Sequence, residues 1–226
     1  MTPGLFITGT DTGVGKTYVA ALVARALRKA GRRVGVYKPV ASGCRCEDSR
    51  MVSADAVALW EAAGRPGELQ HVSPQAFAAP LAPHLAARAE SRTIDPDLLR
   101  SGIDYWCETS DIVLVEGAGG LMSPVSDDDY NADLAEEFGY PLVVVSANVL
   151  GTINATLQTL ITAATFRDGL EIAGIVLNWP SPRPDDPSTD SNRDELARRC
   201  VAPVLAEVPH GGEFDQDVDW WTLAGG

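Results

Sequence analysis

The chain has 226 residues, of which 45% are hydrophobic, and a formal net charge of −13. This length suffices for one domain with a substantial buried core. The negative charge repels nucleic-acid phosphates and anionic membranes, so neither is an expected partner, whereas local lysines can still bind a small anionic substrate. No apolar run is long enough to span a bilayer and the N-terminus lacks a signal-peptide pattern, so we expect a cytoplasmic protein.

The predicted elements alternate between strands and helices. In chain order, the residue pattern predicts a strand at 5–8, a helix at 17–30, a strand at 34–37, a helix at 53–63, a loop at 73–84, a helix at 95–109, strands at 112–115 and 142–146, a helix at 152–167 and a strand at 172–177. Near-continuous apolar strands separated by helices are typical of a parallel sheet with helices on both faces. We therefore predict a single α/β domain over residues 1–226.

Two segments near the C-terminus lie outside this pattern. Residues 180–191 are dense in Pro, Asp and Ser, which predicts a mobile surface loop. Residues 211–226 form an acidic tail with two tryptophans. The sequence leaves the packing of this tail open, and we favour a tail that lies on the domain.

Polar segments follow four of the predicted strands, at residues 10–17, 38–42, 116–120 and at Asn178. Ligands of parallel α/β sheets collect at the carboxyl ends of the strands. We therefore expect one binding site at this edge of the sheet. The cysteines do not indicate a metal site, because Cys44 and Cys46 are separated by one residue and no histidine or second cysteine pair lies nearby.

The first polar segment nearly matches the phosphate-binding loop of nucleotide-binding proteins. Five residues, rather than the usual four, separate Gly9 from Gly15-Lys16-Thr17. The segment leaves a predicted strand and opens a predicted helix, so its backbone N–H groups and the helix start can bind phosphate. We predict that Lys16 reaches the β- and γ-phosphates and that the Thr17 hydroxyl coordinates Mg²⁺. The alternative is a glycine turn that merely joins strand and helix.

Two acids and a second lysine complete the predicted site. Glu116 ends an apolar strand, where it can serve Mg²⁺, and Asp55 is a second candidate, although an acid in a first helical turn is also explained by the helix dipole. Lys38 should lie at the same sheet edge. A transferase that holds a second anion against the γ-phosphate needs such a cation. The alternative is a solvated lysine before a proline turn.

The motifs GTDTGVGKT, YKPVASG, SADA, APH, VLVEGAGG, LGTIN and LN follow one another between residues 8 and 209. Together they resemble the dethiobiotin synthetases, which have a P-loop NTPase-type fold. The resemblance implies ATP- and Mg²⁺-dependent carboxylation of 7,8-diaminononanoate with CO₂ and closure of a cyclic urea. The route would pass through a carbamate and a carbamic-phosphoric anhydride. It also implies a homodimer with shared active sites.

The resemblance assigns a role to each matching residue. The catalytic residues would be Lys16 at the γ-phosphate, Lys38 at the carbamate, and Thr12 and Ser42 at the reacting end of the substrate. The cofactor-binding residues would be Gly13, Val14, Gly15, Lys16, Thr17, Tyr18, Asp55, Glu116, Gly117, Ala118, Gly119, Asn178 and Pro209, with Asn178 and Pro209 at the adenine. The Mg²⁺ ligands would be Thr17, Asp55 and Glu116. The partner subunit's turn would bind the substrate carboxylate through Gly151, Thr152, Ile153 and Asn154.

Some details depart from this picture or remain open. We expect the additional loop residue to lift Thr12 beside the γ-phosphate. Gly13 stands where some family members carry an acid, and the glycines after Pro209 predict loose nucleotide selectivity. His84 resembles a general base, although its neighbouring prolines favour a loop-stabilising role.

Two other functions remain as alternatives. A nucleotide-switch ATPase is disfavoured because the plasmid-partitioning type carries a lysine where this chain has Asp11. An amidotransferase synthetase would need a glutaminase domain, for which the chain has no room.

Overall fold

The computed structural model of the chain describes residues 2–47, 50–182 and 186–226. The strands are β1 (Gly4–Gly9), β2 (Val34–Tyr37), β3 (Val40–Ala41), β4 (Arg45–Glu47), β5 (Arg50–Val52), β6 (Gln75–Ala76), β7 (Ile112–Glu116), β8 (Leu142–Ala147), β9 (Ile172–Asn178) and β10 (Val204–Val208). The helices are α1 (Lys16–Lys29), α2 (Ala54–Ala62), α3 (Leu69–Val72), α4 (Pro83–Ala89), α5 (Pro96–Ser101), α6 (Asp104–Thr109), α7 (Asn131–Phe138), α8 (Thr152–Thr165), α9 (Asn192–Arg199) and α10 (Trp220–Leu223).

The central sheet has six parallel strands in the order β10-β9-β8-β1-β7-β2. Every residue of β1, β2 and β7 is buried, as expected for strands with helices on both faces. In the register of β1 and β7, Ile7 lies opposite Glu116, so the phosphate-loop strand and the acid-bearing strand end side by side. The predicted α/β sheet is therefore confirmed, and none of the described helices has the length and apolarity needed to cross a bilayer.

Two small sheets lie beside the central one. β3 pairs in parallel with β6, and β4 pairs with β5 as an antiparallel hairpin. Beyond β3, the Gly43 and Cys44 N–H groups donate to the carbonyls of Ala79 (3.1 Å) and Phe77 (2.9 Å). These bonds hold the segment that follows β6 against the end of β3. The predicted loop at 73–84 thus contains β6 and the start of α4.

The predicted helix at 95–109 is wrong as a single helix, because the structure has α5 and α6 in its place. The Tyr37 hydroxyl donates to the carbonyls of Leu98 (2.9 Å) and Leu99 (3.0 Å) at the end of α5. Gly102 packs against the same hydroxyl, since a Cβ built on it would lie 2.3 Å from that oxygen. The Tyr37 hydroxyl thus packs where α5 ends, while the Gly102 N–H still donates to the Leu98 carbonyl over 3.1 Å as in a regular last helical turn.

The C-terminal part contains elements that were not predicted, namely β10, α9, α10 and a 3-10 helix at Pro187–Asp190. This 3-10 helix lies inside the predicted mobile loop at 180–191, of which residues 183–185 lie outside the described part. The tail packs on the start of β1 and on α1. The Gly4 N–H donates to the Ala224 carbonyl (3.3 Å), Trp220 is buried, and the Arg32 guanidinium lies 3.7 Å from the centre of a Trp221 ring.

Candidate active site

A cavity of about 770 Å³ opens where β1, β2 and β7 end. Predicted site residues that line it are Thr12, Gly13, Gly15, Lys16, Thr17, Tyr18, Lys38, Ser42, Asp55, Glu116, Ala118 and Gly119. The rest of the wall is Ala41, Gly43, Pro80, Leu81, Ala82, Pro83, Ser123 and Pro124. The sheet thus brings the catalytic residues suggested by the sequence to one place, from segments far apart along the chain.

Gly15 gives the phosphate loop its shape. Its φ of +93° is in the left-handed region, and a Cβ there would lie 2.1 Å from Nδ2 of Asn178. That amide nitrogen donates to the Val14 carbonyl over 2.8 Å, and Asn178 is buried. Asn178 therefore braces the loop from the end of β9. Val14 contributes through its backbone, since its side chain belongs to the core.

Lys16 begins α1 and points back along the loop. Its ammonium donates to the Asp11 carbonyl over 2.9 Å. Burial lowers the pKa of Lys16, and this effect outweighs the opposing influence of the Glu116 carboxylate. The Asp11 carboxylate accepts the Thr12 N–H over 2.7 Å. The longer loop therefore has a tight turn at Asp11 and Thr12. That Thr12 reaches the γ-phosphate stays a prediction.

Lys38 lies at the centre of a group of buried charges. It is 4% exposed and Glu116 is 1% exposed, and the two side chains form an ion pair. The Lys38 ammonium also lies 3.1 Å from Oδ2 of Asp55. Burial alone lowers the pKa of Lys38, but the two carboxylates outweigh it and raise the pKa above its usual value. Lys38 is therefore a buried cation at neutral pH, and not the solvated lysine of the alternative reading.

The acids of this group offer oxygen ligands suited to Mg²⁺. The Thr17 hydroxyl donates to Oε1 of Glu116 over 2.9 Å, whereas Oε2 of Glu116 is buried and makes no hydrogen bond to the described residues. The pKa of Asp55 is lowered, because Lys38 outweighs the effect of burial. In the described ranges, no group of three or more His, Cys, Asp or Glu side chains is arranged to hold a metal ion by itself. Mg²⁺ in nucleotide sites needs only one or two carboxylates besides phosphate and water, so this donor set fits the ion.

Asn131, at the start of α7, was missed by sequence reasoning. Its fully buried amide donates to the carbonyls of Ala118 and Gly120, both over 2.8 Å, and accepts the Ala118 N–H over 3.0 Å. It also packs against Gly117, where an added Cβ would lie 2.8 Å from its oxygen. Asn131 thus shapes the glycine turn after Glu116. No local motif distinguishes it from other asparagines at helix starts.

Some predicted residues lie outside the cavity. Gly117 faces Asn131, and Pro209 follows β10 next to the end of β9. The turn at 151–154 opens α8, where the Thr152 hydroxyl is buried against Ser146 at 2.7 Å and Leu150 is 81% exposed. His84 lines a separate cavity of about 150 Å³ with Arg88 and Asp127. The roles suggested for these residues stay predictions.

Solved structures with a similar fold include an ATPase and a signal recognition particle receptor. A ParA family ATPase from Chlorobium tepidum aligns with a TM-score of 0.56 and 20% identity, over 97% of this chain and 87% of that one. The signal recognition particle receptor FtsY from Elizabethkingia anophelis aligns with a TM-score of 0.55 and 17% identity, over 92% and 58%. At these identities the likeness shows the fold alone.

The fold and the cavity define a P-loop NTPase-type protein. A family model described as an AAA domain matches residues 3–217. Relatives named "ATP-dependent dethiobiotin synthetase BioD" are 43% identical over 90% of this chain and 82% of their own length in Rhodopirellula baltica, and 44% identical over 91% and 89% in Anaeromyxobacter dehalogenans. A third, from Anoxybacillus flavithermus, is 36% identical over 96% and 99%. The chain belongs to the dethiobiotin synthetase family of ATP-dependent ligases.

Proposed function

We propose that the protein converts 7,8-diaminononanoate, CO₂ and ATP into dethiobiotin, ADP and phosphate, with Mg²⁺ as cofactor, in biotin biosynthesis. The observation that carries this proposal is the pair of buried lysines, Lys16 and Lys38, on one cavity. A site that only hydrolyses ATP needs one cation at the γ-phosphate. A site that holds a second anion next to the γ-phosphate needs a second cation.

The proposed reaction has three bond-forming steps. One substrate amine attacks CO₂ and loses a proton to water, which leaves a carbamate. A carbamate oxygen then attacks the γ-phosphorus, and ADP leaves with the electrons of the broken P–O bond. Finally the second amine attacks the carbon of the mixed anhydride and gives up a proton, phosphate departs with the electrons of the broken C–O bond and takes that proton, and the urea ring closes. The second step joins two anions and the third releases one, so fixed charges and dipoles provide most of the catalysis.

The residues of the cavity fit these steps. Lys16 and the loop N–H groups would bind the transferring phosphoryl group, and Lys38 would neutralise the carbamate. Thr12 and Ser42 line the cavity and would orient the reacting end of the diamine. When bound by Thr17, Asp55 and Glu116, Mg²⁺ would neutralise phosphate charge. Asn178 and Pro209 would receive the adenine, and a homodimer would supply the turn at 151–154 to the neighbouring site.

The test measures ADP release with ATP, Mg²⁺ and bicarbonate, with and without the diamine. We expect the wild type to depend on the diamine. We expect Lys38→Met to lower the diamine-dependent rate about 100-fold or more, since one preorganised charge at a transition state contributes on this order. Lys29→Met is the matched control, because Lys29 is exposed on α1.

Two results would count against the proposal. ADP release that ignores the diamine would favour a nucleotide-switch ATPase. Full activity of Lys38→Met would show that Lys38 takes no part in the reaction. Thermal unfolding of each variant, and mass-spectrometric detection of dethiobiotin, separate loss of chemistry from loss of fold.

A further inference from the structure

Tyr18 connects the phosphate-loop helix to the segment after β10. It is the third residue of α1, it lines the cavity, and its hydroxyl donates to the Gly212 carbonyl over 2.8 Å. The two residues are 194 positions apart, so only the folded chain brings them together. Tyr18 is 36% exposed, and its ring therefore forms an outer wall and not part of the core.

The segment that Tyr18 holds has little rigidity of its own. Residues 209–212 form a turn in which the Gly212 N–H donates to the Pro209 carbonyl over 2.8 Å, and Gly211 has a φ of +67°. Two consecutive glycines have the largest backbone entropy of any pair of residues. Without a tie to the domain, ligand binding would have to order this turn, which weakens affinity.

This turn borders the place where the nucleotide base is proposed to bind. Asn178 ends β9, and the next residue, Trp179, donates its N–H to the Val208 carbonyl over 2.9 Å. The Asn178 amide also reaches the phosphate loop at Val14. The loop, the end of β9 and the turn at 209–212 are therefore neighbours, and Tyr18 links the loop helix to the turn.

We propose that Tyr18 is a positioning residue for nucleotide recognition. Its hydroxyl holds the turn at 209–212 in the shape that receives the base and ribose, and so replaces rigidity that the glycines lack. This inference rests on the proposed function only in placing a nucleotide at the cavity. The phosphate end of the ligand lies against the loop and does not depend on the turn.

The experiment compares two ligands by titration calorimetry in the presence of Mg²⁺, without the diamine. ADP carries a base and ribose, whereas inorganic tripolyphosphate carries neither. For Tyr18→Phe, which removes only the hydroxyl, we expect the Kd of ADP to rise about three- to tenfold, the range for one neutral hydrogen bond, and the Kd of tripolyphosphate to stay unchanged. Tyr105→Phe is the matched control, because Tyr105 packs on His71 and Trp106 away from the cavity.

Amide hydrogen exchange supplies an independent readout, and we expect faster exchange at residues 210–212 in Tyr18→Phe. Unchanged affinity for ADP would overturn the proposal. An equal loss of affinity for both ligands would also overturn it, since that would indicate general damage to the phosphate loop. Failure of the proposed function would appear in the ligase assay and not in these titrations.

Discussion

Glu116 is the residue on which the charge balance of the site depends. One of its carboxylate oxygens pairs with the Lys38 ammonium and accepts the Thr17 hydroxyl. The other is buried without a hydrogen bond to the described residues. Removing one partner of a buried ion pair costs about 3–5 kcal/mol, because the remaining charge stays buried. Lys38 retains Asp55, whose carboxylate is half exposed and screened by water.

A double-mutant cycle at this ion pair tests the argument. We expect Lys38→Met and Glu116→Gln each to lower the free energy of unfolding by about 2–4 kcal/mol, near the range for a broken buried pair. The double variant should lose less than the sum of the two, since neither buried charge remains. Urea unfolding at neutral pH provides the measurement. Strict additivity would mean that the two charges are not coupled in solution.

The residues proposed to carry chemistry were predictable from sequence where a local motif contains them. Lys16, Thr17, Lys38 and Glu116 each lie at or after the end of a strand in a recognisable motif, and all line the cavity. Asn131 and the bond from Tyr18 to Gly212 were not predictable, because both depend on which distant segments meet. A single sequence does not contain that information until the sheet order is known.

At the scale of elements, the phosphate loop depends on two glycines in different ways. Gly13 and Gly15 both have positive φ, but a Cβ on Gly13 would meet no atom within 4 Å, whereas one on Gly15 would collide with the Asn178 amide. A left-handed backbone alone costs a non-glycine residue roughly 1–2 kcal/mol. A collision inside the phosphate loop displaces the N–H groups themselves.

We therefore expect Gly15→Ala to weaken ADP binding about 100-fold or more, because several charge-assisted hydrogen bonds to phosphate are lost together. Gly13→Ala is the matched control, with an expected loss of roughly 5- to 30-fold, which corresponds to the backbone strain alone. Calorimetric titration with ADP and Mg²⁺ measures both. Equal effects of the two substitutions would show that strain, and not the contact with Asn178, limits the loop.

The strands that sequence analysis found are more apolar and more buried than the strand of the central sheet that it missed. The five predicted strands are mostly apolar; four are interior strands of the sheet, and the edge strand β2 is fully buried, so their runs are easy to recognise. β10 is an edge strand with a glutamate and partly exposed residues, which weakens its pattern. The break between α5 and α6 lies where the Tyr37 hydroxyl contacts Leu98, a residue 61 positions away along the chain, and no local pattern indicates that contact.

At the scale of the whole molecule, two large aliphatic side chains are exposed at and along α8. Leu150, just before the helix, is 81% exposed and Ile161 on the helix is 62% exposed. Exposed large aliphatic side chains near a proposed ligand-binding turn favour a subunit interface there. A dimer around this helix start would be consistent with the turn at 151–154 serving the neighbouring cavity.

We expect a homodimer in solution, with a mass near twice the 24.0 kDa of the chain. Leu150→Asp should yield monomers that keep ADP affinity but lose diamine-dependent turnover, since a buried charge opposes association. Sedimentation velocity gives the mass.

Mixing Lys38→Met with a turn variant such as Asn154→Ala should restore about a quarter of the wild-type rate if sites are shared, because half of the re-formed dimers contain one intact site. Two inactive variants that stay inactive when mixed under exchange would argue against shared sites.

The position of β1 in the sheet has a consequence for how this enzyme can change over time. On one side of it, β7 and β2 lead into Glu116 and Lys38, and on the other, β9 and β10 lead into Asn178 and Pro209. The groups proposed for phosphoryl transfer and those proposed for base recognition are thus carried by opposite halves of one sheet. Asn178 joins the two halves through its bond to the Val14 carbonyl, so a substitution there would disturb both. Substitutions around Pro209, outside the cavity, are less constrained, so preference among nucleoside triphosphates can diverge between lineages while the ligase chemistry stays the same.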